Sequence, residues 1–275
     1  MENKQFSTKN PLRILYLVDQ SKSTELRAAD GTPICNHFAK TTNDDINNMI
    51  TKNSNGTRVA DRATISVATF CGKGIEFVCE GRLSELADNP TQVIMDDQGT
   101  IPSPVYLLPN ACGDSPLGRA LETIYKKCES NNEFYHIITI ESDALLYDKE
   151  RNNDLDIALQ YAEMLKKQGT EIHFAHMTAK HNQACICPSS ENDLPDETSR
   201  VAFKLSSEMS DEAIFMANEM FGMNIVKGAR WMAMNADPKF FSAFVQFGSN
   251  SKATLALPAP QVVDVEAEVV VEDIM

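Results

Sequence analysis

Short apolar stretches that alternate with amphipathic helical patterns constrain the fold of this chain more than any other feature of its sequence. Stretches with strand character lie at 12–18, 63–70, 74–80, 134–140 and 171–177. Helical patterns lie between them, at 34–52, 116–129 and 154–168. Apolar strands that alternate with amphipathic helices predict a doubly wound α/β fold, with a mostly parallel sheet and helices on both faces. The stretch at 74–80 alternates in polarity after a glycine turn, which predicts an antiparallel partner at a sheet edge.

Length and composition predict one large globular domain. The chain has 275 residues, of which 43% are hydrophobic and 23% are charged, values that are ordinary for a globular protein. We expect a short N-terminal extension at 1–10, the domain at 11–248 and an acidic tail at 249–275. The tail is expected to be disordered, although the alternating stretch at 262–271 could instead add a strand to a partner's sheet.

The charge balance limits the partners. The chain carries 25 Lys and Arg against 39 Asp and Glu, a net charge of −14, which disfavours non-specific binding to nucleic acid or to an anionic membrane. No apolar run reaches the roughly 20 residues that cross a bilayer, and the polar start lacks the apolar core of a secretory signal. We therefore expect neither nucleic acid nor a membrane as a partner.

The cysteines favour a reducing compartment. There are seven of them, an odd number scattered along a long chain in which no signal peptide is recognised. Reduced thiols are the simpler expectation for such a pattern, and with them a cytoplasmic location.

A D-x-S-x-S pattern, formed by Asp19, Ser21 and Ser23, follows the first predicted strand directly. Where a strand turns into a loop, alternate side chains can point the same way, so one carboxylate and two hydroxyls converge. Oxygen ligands at this density suit a hard divalent cation such as Mg²⁺. Since three ligands do not fill an octahedron, others must come from elsewhere in the chain, from water or from a partner.

Two later segments offer such ligands. Ser115 follows a glycine turn and precedes a proline at the first turn of the helix predicted at 116–129. Asp143 lies beyond the end of the strand predicted at 134–140. Ligands of doubly wound sheets bind at the carboxyl ends of the strands, where the strand order reverses. We therefore expect Ser115 and Asp143 to lie beside the D-x-S-x-S pattern.

Together these three segments resemble the von Willebrand factor type A (vWA) domain and its metal-ion-dependent adhesion site. The family pattern has D-x-S-x-S after strand one, Thr in a G-T-x-L-x-x-A-L-like turn, and T-D-G after the fourth core strand; this sequence has DQSKS, GDSPLGRAL and SDA. The resemblance implies that a divalent cation (Mg²⁺, or Mn²⁺ or Ca²⁺) leaves one position open to an Asp or Glu side chain of a partner protein. The ligands that it implies are Asp19, Ser21, Ser23, Ser115 and Asp143.

The sequence departs from the family pattern at several positions. Ser115 replaces Thr and keeps the hydroxyl, and Lys22 replaces the common Gly and places a cation beside the site. Asp114 also replaces a Gly. We expect Asp114, Glu141 and Ser142 to surround the ligands, where the two acids would offset Lys22 or repel an acidic partner.

A second resemblance bears on cellular context. The segment at 237–251 resembles the closing helix of intracellular bacterial vWA proteins of the tellurite-resistance type. This implies a non-enzymatic, cytoplasmic binding module in a stress or signalling complex. One alternative is a non-catalytic vWA subunit of an ATPase or metal-insertion complex, and another is a metal-dependent hydrolase with Asp114 or Glu141 as the base.

Two further groups are expected to be structural. The histidines and cysteines His173, His176, His181, Cys185 and Cys187 could in principle bind Zn²⁺, but His173 and His176 are three apart on a strand and must point to opposite faces. We expect an unligated surface loop there. Trp231 and the methionines at 209–234 are expected to fill the core.

Overall fold

The structure, a computed structural model, describes residues 8, 11–72, 74–95, 102–130, 134–222 and 224–236, without the side chains of 220 and 221. The acidic tail, the segment at 237–251 and nearly all of the N-terminal extension lie outside the described residues.

A seven-stranded sheet forms the centre of the described domain. The strands in chain order are β1 (Leu12–Asp19), β2 (Ala63–Cys71), β3 (Gly74–Arg82), β4 (Gln92–Met95), β5 (Pro102–Val105), β6 (His136–Ser142), β7 (Glu171–His176), β8 (Cys185–Ile186) and β9 (Met232–Met234). The order in the large sheet is β3-β2-β1-β6-β7-β9-β8, and β4 and β5 form a separate hairpin.

The strand order reverses at β1. This strand lies between β2 and β6 and is parallel to both, and β6, β7 and β9 are also parallel to one another. The strands at the two ends of the order, β3 and β8, are antiparallel to their neighbours. The predicted parallel sheet with an antiparallel edge strand after residue 74 is therefore confirmed.

Helices cover both faces of this sheet. They are α1 (Ile34–Lys52), α2 (Leu83–Asp88), α3 (Leu117–Glu129), α4 (Asp154–Lys167), α5 (Glu197–Leu205) and α6 (Asp211–Phe221). Residues of α1, α2 and α6 belong to one buried cluster, and residues of α3, α4 and α5 belong to the other. On β1 the even-numbered side chains from Leu12 to Val18 join the first cluster, whereas Leu15 and Leu17 join the second. The predicted doubly wound fold is confirmed. None of the described helices is long and apolar enough to span a membrane.

Residues in and near β9 and before α6 are buried in the core. Trp231 is 1% exposed, and Met209, Met232 and Met234 are also buried, so the expected core role is confirmed for these residues. The sequence did not predict β9, which lies between β7 and β8 and has only three residues, because so short a strand carries no periodicity.

The histidines and cysteines at 173–187 were expected in an exposed loop, and this is wrong for three of them. His173, His176 and Cys187 are buried. His173 stacks on Trp231 with ring centroids 4.4 Å apart, whereas His176 packs edge-on to Phe174, so the two histidines do lie on opposite faces. In the described part of the chain, no three His, Cys, Asp or Glu side chains form a group that could hold a metal.

The expectation of reduced thiols is wrong for two of the cysteines. Cys71 and Cys112 form a disulfide, with Cα atoms 5.9 Å apart, and the other five cysteines are free. Disulfides persist mainly in oxidising compartments. The cysteine argument for a cytoplasmic protein therefore no longer holds.

Asp196 caps α5 and gives a testable pH dependence. Although burial opposes its ionisation, hydrogen bonds from the Ser199 amide and from the Ser199 and Thr198 hydroxyls lower the pKa of Asp196 from 3.8 to about 2. A folded-state pKa below the unfolded value stabilises the protein above the unfolded pKa, and this contribution is lost as the pH falls through the folded pKa. We expect Asp196→Ala to lower the free energy of unfolding by about 1–2 kcal/mol at neutral pH.

Urea unfolding of wild type and Asp196→Ala, compared near neutral pH and at about pH 2–3, tests this linkage. The difference between the two proteins should shrink in acid. Asp193→Ala, at an exposed position nearby, should change the unfolding free energy by less than about 0.5 kcal/mol at either pH. A difference that stays constant with pH would contradict the assigned cap.

Candidate metal centre

Asp19 lies at the carboxyl end of β1, at the point where the strand order reverses. Its side chain is fully buried. One carboxylate oxygen, Oδ1, accepts the Ser21 amide at 2.8 Å. The other, Oδ2, accepts the Ser115 hydroxyl at 3.0 Å and the Ser142 hydroxyl at 2.6 Å. A single carboxylate thus joins the ends of β1 and β6 to the segment before α3.

Ser21 and Ser23 lie in a tight turn after β1. Their hydroxyl oxygens are 3.0 Å apart, as expected for alternate residues that point the same way. A short 3-10 helix, Lys22–Glu25, fixes the turn, and the Thr24 hydroxyl donates to the Ser21 carbonyl at 2.7 Å. We call residues 20–26 the Ser21 loop.

Ser115 lies in the segment before α3, which we call the Ser115 loop (residues 106–116). The Ser115 carbonyl accepts hydrogen bonds from the amides of Leu117 at 3.0 Å and of Tyr147 at 3.1 Å. The first turn of α3 is held by Asp154, whose carboxylate accepts the amides of Gly118 at 3.0 Å and of Arg119 at 3.3 Å. The Ser115 hydroxyl is therefore placed by a helix start that α4 anchors.

Asp143 follows β6 and is 1% exposed. Its carboxylate accepts the Leu145 amide at 3.1 Å through Oδ1, and the Ser23 hydroxyl lies close enough to lower its pKa. Its Oδ2 atom is buried and has no hydrogen-bond partner among the described residues. The next residue, Ala144, has a φ of 52°, a conformation that favours the glycine of the family pattern.

Hydrogen bonds connect four of the five residues predicted as ligands: Asp19 to Ser21, Asp19 to Ser115 and Ser21 to Ser23. Asp143 lies beside them and interacts electrostatically with Asp19 and Ser23. We call these five residues the network. Ser142, expected only in the surroundings, also bonds directly to Asp19. Sequence separation gave no hint of this contact, because it depends on the parallel pairing of β1 with β6.

The side chains of Lys22 and Asp114 contact groups outside the network. The Lys22 side chain is 67% exposed and its ammonium pairs with the Glu25 carboxylate. Asp114 accepts the Lys149 amide at 3.4 Å.

Glu141 was expected beside the ligands, and this is wrong. Its side chain is fully buried and accepts the Thr42 hydroxyl of α1 at 3.1 Å. Burial and the charge of Asp45 raise the pKa of Glu141 well above its usual value, against the opposing Thr42 hydrogen bond. Side chains alternate along β6, so Glu141 faces α1 while Ser142 faces Asp19.

The two carboxylates of the network destabilise each other's charged forms. Burial, followed by the charge of Asp143, raises the pKa of Asp19 to about 6, although hydrogen bonds from Ser142 and Ser21 oppose the shift. Burial also raises the pKa of Asp143, against the hydrogen bonds from Ser23 and Leu145 and the charge of Lys180. A cation between two such carboxylates would offset both the free-energy cost of burying their charges and the repulsion between them.

The donor set fits a hard divalent cation. It consists of two carboxylates and three hydroxyls, all oxygen donors, and the buried Asp143 Oδ2 lacks the partner that buried polar atoms normally have. Oxygen donors suit Mg²⁺, Mn²⁺ or Ca²⁺ better than softer metals. Asp19, Ser21, Ser23, Ser115 and Asp143 are the residues that would hold such an ion.

No protein-family model matches the chain, and no curated protein matches it either. Structures similar to it include the vWF domain of the type V pili tip protein Mfa5 from Porphyromonas gingivalis, with 10% identity and a TM-score of 0.48, over 90% of this chain and 95% of that one. Another is a von Willebrand factor type A protein from Catenulispora acidiphila, with 13% identity and a TM-score of 0.45, over 88% of this chain and 43% of that one.

A third similar structure is the PilB minor pilin from Streptococcus sanguinis, with 10% identity and a TM-score of 0.47, over 90% of this chain and 61% of that one. The chain thus spans less than two thirds of the length of two of these three structures. At such low identities and TM-scores, the likenesses say nothing about what this chain binds.

Proposed function

We propose that this chain is a vWA-type protein-binding domain and not an enzyme. In this proposal Asp19, Ser21, Ser23, Ser115 and Asp143 hold a divalent cation, and a carboxylate of a partner protein completes its coordination. The observation that carries the proposal is that these five residues lie together at the strand-order reversal, four of them linked by hydrogen bonds.

The electrostatics of the network support a cation there. Two buried carboxylates whose pKa values are raised by burial are stabilised by a positive charge between them. A bound cation with an open position supplies a strong local charge that favours a carboxylate ligand. Ser23 is the least buried of the five residues, so the network is reached from the side of the Ser21 loop.

The surroundings of the network favour a protein over a small anion. Leu26, Leu108 and Tyr147 are 53%, 46% and 62% exposed. Each belongs to a loop tied to the network: the Leu26 amide donates to the Ser23 carbonyl, the Gln20 side chain to the Leu108 carbonyl, and the Tyr147 amide to the Ser115 carbonyl. Exposed apolar side chains around a charged centre are typical of protein interaction surfaces.

The alternative functions differ in their support. A metal-dependent hydrolase needs a base near bound water. Of the two residues considered as that base, Glu141 accepts a hydrogen bond from Thr42 of α1, and Asp114 accepts one from the Lys149 amide. A subunit of an ATPase or metal-insertion complex would use the same five residues and would differ only in its partner. A tellurite-resistance or stress role depends on the segment at 237–251, which lies outside the described residues.

A pull-down with the immobilised protein tests this function. Partner proteins retained in Mg²⁺ should be released by EDTA, and Ser21→Ala should weaken their apparent affinity by about 100-fold or more, because loss of even an outer group of a metal site costs 10–100-fold. Ser54→Ala changes an exposed serine after α1 and should retain the same proteins as wild type. Equal retention in EDTA and by Ser21→Ala would refute the proposal, and an ATPase among the retained proteins would favour the alternative.

A further inference from the structure

The Cys71–Cys112 disulfide joins the end of β2 to the Ser115 loop. Cys71 is the last residue of β2, and Cys112 lies three positions before Ser115. The same Cys112 donates its amide to the Gln20 carbonyl at 2.6 Å. The residue that the disulfide holds is therefore also bonded to the Ser21 loop.

Close backbone packing continues the same contact. A Cβ on Gly72 would lie 2.7 Å from the Asp114 amide nitrogen, and a Cβ on Gly113 would lie 2.8 Å from the Gly72 Cα. Gly113 also accepts the Lys22 amide at 2.9 Å through its carbonyl. Residues 112 and 113 are thus packed between β2 and the Ser21 loop, and the disulfide is the covalent part of this contact.

We propose that the Cys71–Cys112 disulfide is a redox control on the metal centre. When the disulfide is intact, it holds the Ser115 loop against the Ser21 loop, so the hydroxyls of Ser115 and Ser21 stay together at Asp19. When it is reduced, the Ser115 loop loosens and divalent cations bind more weakly. This inference rests on the proposed function, because it concerns the same five residues.

The redox step is an exchange with a dithiol. One thiolate of the dithiol attacks a sulfur of the protein disulfide, which expels the other protein cysteine as a thiolate and leaves a mixed disulfide. The second thiolate of the dithiol then attacks the dithiol sulfur of this mixed disulfide and expels the remaining protein cysteine. The protein S–S bond breaks and gives two protein thiols, while the dithiol loses two hydrogens and becomes a disulfide. Cys112 is half-buried and its neighbour Gly113 is exposed, so a small dithiol can reach this sulfur.

The change in metal binding on reduction should come from Cys71 and Cys112 and not from the free cysteines. Cys35, Cys128 and Cys187 are buried thiols, and burial raises the pKa of Cys128 and of Cys187 to about 12. Burial also raises the pKa of Cys79 to about 11 and raises the pKa values of Cys35 and Cys185. Since the thiolate is the reactive form, these cysteines react slowly at neutral pH.

Binding of Mn²⁺ alone, followed by electron paramagnetic resonance of the free ion, tests the inference. Oxidised wild type is compared with protein reduced by dithiothreitol and desalted under argon. Reduction should weaken Mn²⁺ binding by about tenfold, as expected when a group that positions a ligand is lost, and reoxidation should restore it. The double variant Cys71→Ser/Cys112→Ser should bind weakly regardless of reductant, whereas Cys79→Ser should keep the wild-type redox response.

The outcomes separate this inference from the proposed function. If oxidised and reduced wild type bind Mn²⁺ equally, the redox control is wrong and the metal centre stands. If oxidised wild type fails to bind Mn²⁺, the proposed function is wrong and this inference falls with it. If reduction also removes the cooperative thermal transition, the disulfide holds the whole fold and local control is refuted. Reduced wild type decides the matter even if the double variant fails to fold.

Discussion

Asp19→Asn is expected to weaken Mn²⁺ binding by at least about 100-fold, since the change removes a charged oxygen ligand and the loss of an outer group alone costs 10–100-fold. It also removes the acceptor that joins Ser115 and Ser142 to the end of β1. An isothermal titration with Mn²⁺ measures the effect. Asp88→Asn, at an exposed position at the end of α2, should bind Mn²⁺ like wild type.

The same substitution should not destabilise the metal-free protein. Burial and the charge of Asp143 both disfavour an ionised Asp19, and asparagine removes that cost. The hydroxyls of Ser115 and Ser142 can turn to accept hydrogen bonds from the new amide, because a hydroxyl both donates and accepts. We expect the midpoint of thermal unfolding in EDTA to be equal to or higher than that of wild type. Undiminished Mn²⁺ affinity, or a large loss of stability in EDTA, would contradict the role assigned to Asp19.

Gly118→Ala is expected to lower the free energy of unfolding by about 3 kcal/mol, at the upper end of the usual cost of overpacking. A Cβ at this position would lie 2.6 Å from Asp154 Oδ1, 3.1 Å from the Ala158 amide nitrogen and closer still to the Asp154 carbonyl. The obstacle is the backbone at the start of α4, so a side-chain movement cannot relieve it. The sign of the effect is diagnostic, because the same change in an open helix stabilises by about 1 kcal/mol.

The effect should reach the candidate metal centre. Asp154 holds the amides of Gly118 and Arg119 at the start of α3, and Ser115 lies three residues before Gly118. Movement of α3 away from α4 should therefore displace the Ser115 hydroxyl and weaken Mn²⁺ binding as well. Urea unfolding and Mn²⁺ titration measure the two effects. Gln160→Ala, at an exposed position of α4, should change stability by less than about 0.5 kcal/mol. Unchanged or increased stability of Gly118→Ala would contradict the tight packing of α3 on α4.

The long elements could be predicted from the sequence because each carries its own periodicity. The helix predicted at 34–52 is α1, Ile34–Lys52, and the apolar run at 12–18 is β1, Leu12–Asp19. Both have enough residues for a pattern to repeat. The short elements β9 and α2 have three and six residues, so their positions depend on tertiary packing that the local sequence does not reveal.

The candidate site could be predicted in part for a similar reason. The D-x-S-x-S spacing places Ser21 and Ser23 together locally, and the end of β6 and the start of α3 place Asp143 and Ser115 beside them. Glu141 was expected in the surroundings of the ligands, after a strand predicted to end at residue 140. The strand extends to Ser142, so the side chains of Glu141 and Ser142 alternate, and Glu141 contacts Thr42 of α1 instead. The disulfide was missed because Cys71 and Cys112, 41 positions apart, meet only through the loop that packs on β2.

Diffraction from crystals grown with Mn²⁺, recorded at the manganese absorption edge, tests the central claim most directly, since the anomalous signal locates the ion without reference to any partner. The account predicts one strong anomalous peak enclosed by the side-chain oxygens of Asp19, Ser21, Ser23, Ser115 and Asp143. An empty anomalous map at these residues, with the ion bound elsewhere or nowhere, would contradict it.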